Sequence, residues 1–587
     1  MSDAPGDADK ADQFQRWTAA MTRGQQMMQD FWKGEPGSGS ALGGDPLGLA
    51  KTWARVAQAA VSDPGKVIEM NAKFVTDSFA LWQSFASGKP GESPVAAIKD
   101  KRFAADAWHD QPAFDFIRQS YLLASQFVMT ATGELGGSLG DQEKAKALFH
   151  TRQFVDAVSP SNFPLSNPEV LKAIGETGGE NLLKGLEHML DDLGRGRLRM
   201  TDETVFEVGR NIAATPGKVI YENRLFQLIQ YAPTTDTVFA VPLVIFPPWI
   251  NKYYILDLTA EKSLIRWSVA QGMTVFIVSW KGADASTIDA TLDTYVEEGQ
   301  LTAIAKALEA SAAESAHVIG YCVAGTTLAA TLALLQARGD ASQVRTATFF
   351  TAQVDFSNAG DLSVFVDDAS LDSIAQMTRG KGYLDGRYMA STFNMLRSND
   401  LIWSYVVNNY LLGKDYFPFD LLYWNSDSTN VPATWHTSYL TDMYRDNLLM
   451  KPGGISVAGV PIDLTTVRTP SYIQAGRDDH IAPARSVYRM TQVFAGPLRF
   501  VLAGSGHVAG VINPPAQTKY QYWTNDNLPP TLEGFVEGAA EIKGSWWPDW
   551  MAWLARQSGG RVPARVPGDG PLKVIENAPG RYVKERI

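Results

Sequence analysis

A single cysteine occurs among the 587 residues, at position 322, and its neighbours are the kind a nucleophile needs. The run His317-Val318-Ile319-Gly320-Tyr321-Cys322-Val323-Ala324-Gly325-Thr326 reads as an apolar strand, a sharp turn of small residues and the start of a helix. Gly320 and Ala324, two before and two after the cysteine, leave room for a strained turn that pushes the thiol out at a helix head. There the positive field of the helix N-terminus favours the thiolate, which is the attacking form. A buried, inert cysteine fits the same pentad, so the assignment depends on a base and an acid elsewhere.

Two Gly-containing loops supply them. Ser471 to Ala475 reads as a strand ending in Gly476-Arg477-Asp478-Asp479-His480, and Leu498 to Leu502 as one ending in Ala503-Gly504-Ser505-Gly506-His507. Both loops sit at predicted strand carboxyl ends, where open α/β sheets place ligands. The chain order Cys322, Asp479, His507 is the nucleophile–acid–base order of α/β-hydrolases. His507, in the loop after the last predicted strand, is the expected base; its rival His480 adjoins the acid and is poorly placed to reach the nucleophile. Asp479 is the expected acid, separated only weakly from Asp478. The oxyanion hole should combine the Val323 backbone N–H with one from Pro247–Tyr254, after the predicted strand Val238 to Phe246. Pro247 and Pro248 carry no amide hydrogen, which favours the Ile250 N–H. A thiolate exchanges one thioester for another at little cost and keeps the acyl group activated. Cysteine in this setting therefore predicts acyl transfer from a thioester donor more than hydrolysis.

The elements that must hold these groups fall into two patterns. Residues 1–12 have a disordered composition, and Phe14, Trp17, Met21, Met28 and Phe31 then recur at helical spacing before a Gly/Ser/Pro linker over 34–46. Val67, Met70, Phe74, Leu81 and Phe85 mark a second amphipathic helix, with Asn167-Pro168 and Gly178-Gly179 as later breakers. Helix packing is the favoured reading of these stripes, with an apolar partner or lipid-like surface as the alternative. From about Met200 short apolar strands alternate with helices, the pattern of a mostly parallel sheet. Val354 to Pro470 is too long for one crossover and is rich in Trp, Tyr and Leu, so it should fold as a cap. The expected organisation is a helical N-terminal domain over 1–200 and an α/β catalytic domain over 201–587, with the cap at about 355–440.

Composition narrows the function. There are 52 basic and 63 acidic residues, a net charge of −11, which argues against nucleic acid. One cysteine excludes an intramolecular disulfide and any multi-Cys metal site. Val318 to Ala337 carries no charge and is long enough for a membrane helix. Its strand–turn–helix signals favour instead a strand and helix buried in a parallel sheet. Acidic, polar opening residues predict no cleavable export signal and a cytoplasmic enzyme.

With these residues in hand, the chain resembles the class I polyhydroxyalkanoate synthases from about Asp106 onward. The resemblance is carried by Gly320-Tyr321-Cys322-Val323-Ala324-Gly325-Thr326, by Pro247-Pro248-Trp249-Ile250-Asn251-Lys252-Tyr253-Tyr254 and by Gly506-His507-Val508-Ala509-Gly510. Phe419–Asn425, Gly544–Trp550 and Phe154–Phe163 add to it. One departure is Ala324, where the family's box usually carries glycine; its methyl group fits if the backbone there keeps φ below zero. The resemblance implies an α/β-hydrolase fold with a cap, and transfer of (R)-3-hydroxyacyl groups from coenzyme A into a growing polyester. Cys322 would carry the acyl group, His507 would act as base and Asp479 would orient it or help activate the hydroxyl. No cofactor or metal is implied, because the CoA thioester is itself the substrate. A homodimer at a cytoplasmic polymer granule, with small granule-associated proteins as partners, is also implied. Trp424 would be a cap residue near dimer contacts or substrate access, or plain cap core. The Trp546, Trp547, Trp550 and Trp553 cluster reads as packing. The competing readings are a thioesterase or esterase of the same fold, and a non-enzymatic granule-associated protein.

Overall fold

The computed structural model describes residues 49–587. The expected disorder over 1–12, the Phe14–Phe31 stripe and the linker over 34–46 lie outside them. The chain divides into two compact units, one formed by residues up to Asp202 together with Ser391–Pro418, the other by Glu203–Ala390 and Phe419–Ile587.

The first unit is helical. Its helices include Leu49–Ser62 (α1), Pro64–Ala86 (α2), Pro112–Leu135 (α3), Asp141–Ala157 (α4), Pro168–Thr177 (α5) and Glu180–Arg195 (α6). The breakers act where expected. The Asn167 side chain caps the start of α5 and Gly178, at φ +63°, ends it in the left-handed conformation, so orphan backbone groups are satisfied at both ends. On α2, Leu81 is buried, and Phe74 and Phe85 pack with it around Trp108 and Phe103, the helix-packing role expected of that stripe.

Ser391–Pro418 falls inside the stretch read as cap, yet it packs with these helices. Asp156 accepts from Ser398 Oγ and Asn399 Nδ2, both at 2.9 Å, and Asp192 accepts from the Tyr410 hydroxyl at 2.7 Å. A side chain at Gly185 would overlap the Tyr410 carbonyl. Buried carboxylates need such partners, and hydroxyls and amides 200 or more residues away provide no signal in a local reading.

The second unit is built on an 11-stranded sheet. In chain order its strands are Gly217–Glu222 (β1), Phe226–Tyr231 (β2), Leu243–Phe246 (β3), Val275–Trp280 (β4), Ala316–Tyr321 (β5), Val344–Phe350 (β6), Ser471–Gly476 (β7), Leu498–Ala503 (β8), Gln521–Thr524 (β9), Ala540–Lys543 (β10) and Glu576–Asn577 (β11). They lie in the order β10-β9-β8-β7-β6-β5-β3-β4-β2-β1-β11. The run from β8 to β4 is parallel, and antiparallel strands extend it on both flanks. β5 and β7 are buried along their whole length, as parallel strands covered on both faces must be.

Two expectations change. The strand read over Val238 to Phe246 is broken: Thr237–Phe239 pairs with Arg561–Pro563, and only Leu243–Phe246 enters the main sheet. Pro242 lies at the break, and a proline has no N–H for a ladder. The strand before His507 is the last parallel one but not the last, since β9 and β10 follow as an antiparallel edge. The uncharged run Val318 to Ala337 is strand β5 and the helix Val323–Arg338 (α7), buried almost throughout. No described helix is long and apolar enough to cross a membrane. Trp546, Trp547 and Trp550 are fully buried in the core beside Phe350 and Tyr472.

Candidate active site

Cys322 stands between the central strand β5 and α7, at φ +54° and ψ −127°. Such a backbone is costly for a residue with a Cβ, and the surroundings hold it. The Cys322 N–H donates to the Phe350 carbonyl at 2.9 Å, and its carbonyl accepts from Gly325 N–H at 2.8 Å. The turn closes because strand and helix touch through glycine: a Cβ on Gly320 would meet Gly325 Cα, and one on Gly325 would overlap Ala352.

His507 lies in the loop after β8, next to Ser505, whose φ is +121°. Its Nδ1 bonds Asp479 Oδ2 at 2.8 Å. The other Asp479 oxygen accepts from the Ile481 and Ala482 backbone N–H groups, both at 2.9 Å. With Nδ1–H committed to the carboxylate, Nε2 remains for the cysteine, whose charge acts on the imidazole. Burial opposes charge on His507, but the Asp479 carboxylate and the Cys322 thiolate outweigh it and hold the imidazole pKa well above its usual value. Asp478 and His480 do not take these places. Asp478 is exposed, with its backbone N–H on the Ser505 carbonyl, whereas Asp479 is buried against His507. A buried, oriented carboxylate fixes the tautomer and stabilises the imidazolium that forms when the base takes a proton.

The Pro247–Tyr254 loop leaves β3 beside the elbow, since Phe246 is in register with Gly320. Trp249 and Ile250 are buried there, and the Ile250 carbonyl accepts from Thr429 Oγ1 at 2.9 Å. Val323 opens α7, where first-turn N–H groups have no partner within the helix.

Comparison with known proteins fits this geometry. The model of the poly-beta-hydroxybutyrate polymerase (PhaC) N-terminus matches residues 99–268, and that of the alpha/beta hydrolase fold matches 261–514. The poly(3-hydroxyalkanoate) polymerase subunit PhaC of Rhizobium meliloti is 46% identical over 92% of this chain and 89% of its own length. The chain belongs to the poly(3-hydroxyalkanoate) polymerase family. The corresponding subunit of Cupriavidus necator is 43% identical over 94% of each chain, and the polymerase of Methylorubrum extorquens 45% over 91% of this chain and 90% of its own.

Two features of this polymerase-family chain needed the structure. Ala324 is a fully buried helical residue outside the positive-φ set, the backbone its methyl group requires. The second feature is a pair of cap tyrosines that sequence reasoning missed. Tyr439–Arg445 forms a π-helix, a wound segment common at functional sites. It places Tyr439 and Tyr444, whose rings lie 5.8 Å apart, close enough to Cys322 for its charge to act on both phenols. Burial first, and then nearby charge including Cys322, holds both phenols well above their usual pKa, so both stay protonated donors. The aromatic richness of the cap was the available signal, and it equally described core. Trp424 is buried, and its Nε1 donates to the Lys252 carbonyl at 2.7 Å, tying the cap helix Asp420–Ser426 to the Pro247–Tyr254 loop. Among the described residues no cluster of metal-ligating side chains is present.

Proposed function

We propose that this protein polymerises (R)-3-hydroxyacyl units from their coenzyme A thioesters into polyhydroxyalkanoate. His507 takes the Cys322 proton, and the thiolate attacks the thioester carbonyl. The tetrahedral oxyanion rests on the Val323 and Ile250 N–H groups, and collapse expels CoA, which leaves with the proton from His507. The acyl group is then a Cys322 thioester. His507, oriented by Asp479, takes the proton of a 3-hydroxyl, and the alkoxide attacks the thioester to form the ester link and return the thiolate. The chain grows by one unit for each CoA released. No cofactor or metal enters these steps. The cap excludes water, because hydrolysis of the thioester would end the chain. The site of action we propose is the surface of a cytoplasmic polyester granule, as a homodimer in company with granule-associated proteins.

The observation that carries this reading is the His507–Asp479 hydrogen bond set beside Cys322 at the elbow, in a chain of this family. Purified protein is given (R)-3-hydroxybutyryl-CoA while CoA release and product size are followed together. Insoluble polyester with CoA release, abolished by Cys322→Ala, is the expected result. Stoichiometric free 3-hydroxybutyrate would replace polymerisation with thioesterase chemistry.

A further inference from the structure

Beside the loop that supplies the Ile250 N–H lies a buried cation the mechanism does not use. Lys252 lies two residues after Ile250 and is only 3% exposed. Its Nζ donates to the Glu585 backbone carbonyl at 2.6 Å and also reaches the Tyr582 carbonyl at 3.4 Å. An ammonium this deep costs several kcal/mol in lost hydration (on the order of 2–5) unless acceptors replace the water. Here main-chain carbonyls of a segment more than 300 residues away serve as those acceptors.

That segment is moored independently of the lysine. Gln227 Oε1, on β2, accepts from the Arg581 and Tyr582 N–H groups at 3.0 and 3.2 Å. The Tyr582 hydroxyl donates to the Asn223 carbonyl at 2.9 Å. Gly580, at φ +81°, lets the chain pass so close to Gln227 that a Cβ would overlap its side-chain oxygen. The loop end is equally fixed: Lys252 carbonyl to Trp424 Nε1, Ile250 carbonyl to Thr429 Oγ1, and a bridge from Asn251 to Ser428. The loop is thus held from the cap side by its carbonyls, at its start by Trp280 Nε1 of β4 on the Pro247 carbonyl at 2.8 Å, and next to Ile250 by the Lys252 ammonium on the Arg581–Glu585 segment.

We propose that Arg581–Glu585 is a strap which, through Lys252, sets the position of the Ile250 N–H, making Lys252 a positioning residue for acyl transfer. The inference rests on the acyl-transfer reading above. Lys252 touches no reacting atom in it. Displacement of an oxyanion donor by about 1 Å is enough to lower a rate about 100-fold, while substrate entry and the Cys322–His507 pair are untouched.

The test uses the full chain with Lys252→Met and, separately, Gly580→Ala, which displaces the strap while leaving the lysine in place. CoA release from (R)-3-hydroxybutyryl-CoA gives kcat and KM, and alkylation of Cys322 by iodoacetamide reports the nucleophile. Both variants should lose about tenfold or more in kcat, with KM and alkylation rate near the wild-type values. Wild-type kcat in a folded Gly580→Ala protein overturns the proposal. So does a fall in alkylation rate that parallels the fall in kcat, because that is general loosening. Absence of CoA release by the wild-type protein would instead fail the acyl-transfer reading itself, which keeps the two failures apart.

Discussion

Asp478 and Asp479 are neighbours with the same chemistry, and the loop after β7 separates them by burial. The Asp479 side chain is inaccessible to solvent and has three hydrogen bonds; Asp478 points to water. Asp479→Asn keeps the shape but offers the imidazole the wrong partner and favours the wrong tautomer. CoA release should fall about 10²- to 10⁴-fold, while Asp478→Asn retains wild-type activity. Equal losses in the two variants, measured side by side, would refute the assignment. The same loop bears on the proposed base: it is His507 whose Nδ1 lies on Asp479, at 2.8 Å. That leaves Nε2 for Cys322.

At the scale of elements, the elbow depends on how closely β5 and α7 approach. Gly325 sits where any side chain would overlap Ala352 and the Gly320 carbonyl. Gly325→Ala should therefore cost about 1–3 kcal/mol in overpacking and remove most activity by opening the turn. Ala324, one position earlier, is an ordinary helical residue. Ala324→Gly should cost only about 0.5–1 kcal/mol of backbone entropy and leave the rate of CoA release close to wild type. Urea unfolding together with CoA release distinguishes the pair, and a larger loss from Ala324→Gly would contradict this geometry. The same reasoning makes the glycine usual in the resembling family's box compatible with an alanine here.

For the molecule as a whole, two histidines buried away from the catalytic groups bear on acid stability. Burial pushes His436, in the cap, down to about 4. Burial, and then Arg345, push His317, on β5, down to about 3. Both are neutral in the folded chain and protonate in the unfolded chain near pH 6.5. Stability from each is therefore present above about pH 6.5 and is lost as pH falls toward the folded value, on the order of 3 kcal/mol for His436 and about 5 kcal/mol for His317. His436→Gln should narrow the difference in melting temperature between about pH 7 and about pH 4.5. An unchanged difference would mean that His436 is not held neutral.

Much of this was legible in the residues because strand and helix patterns, Gly-bounded turns and chain order are local properties. They marked β5 and α7, placed Cys322 between them, and set Asp479 and His507 at the ends of two later strands. The break at Pro242 and the edge strands after His507 escaped, because pairing partners such as Arg561–Pro563 are chosen across the sheet and not along the chain. The packing of Ser391–Pro418 with α4 and α6 escaped for the same reason. Residue types and their order alone determined which chemistry was possible: one thiol at an elbow, with an acid and a base following it in the order this fold requires. Only tertiary structure decided which of two aspartates is buried against the imidazole and that two cap tyrosines lie near Cys322. It alone also showed that Lys252 spends its charge on carbonyls from the far end of the sequence. Burial and hydrogen bonding are set by groups distant in the chain, and no local pattern encodes them.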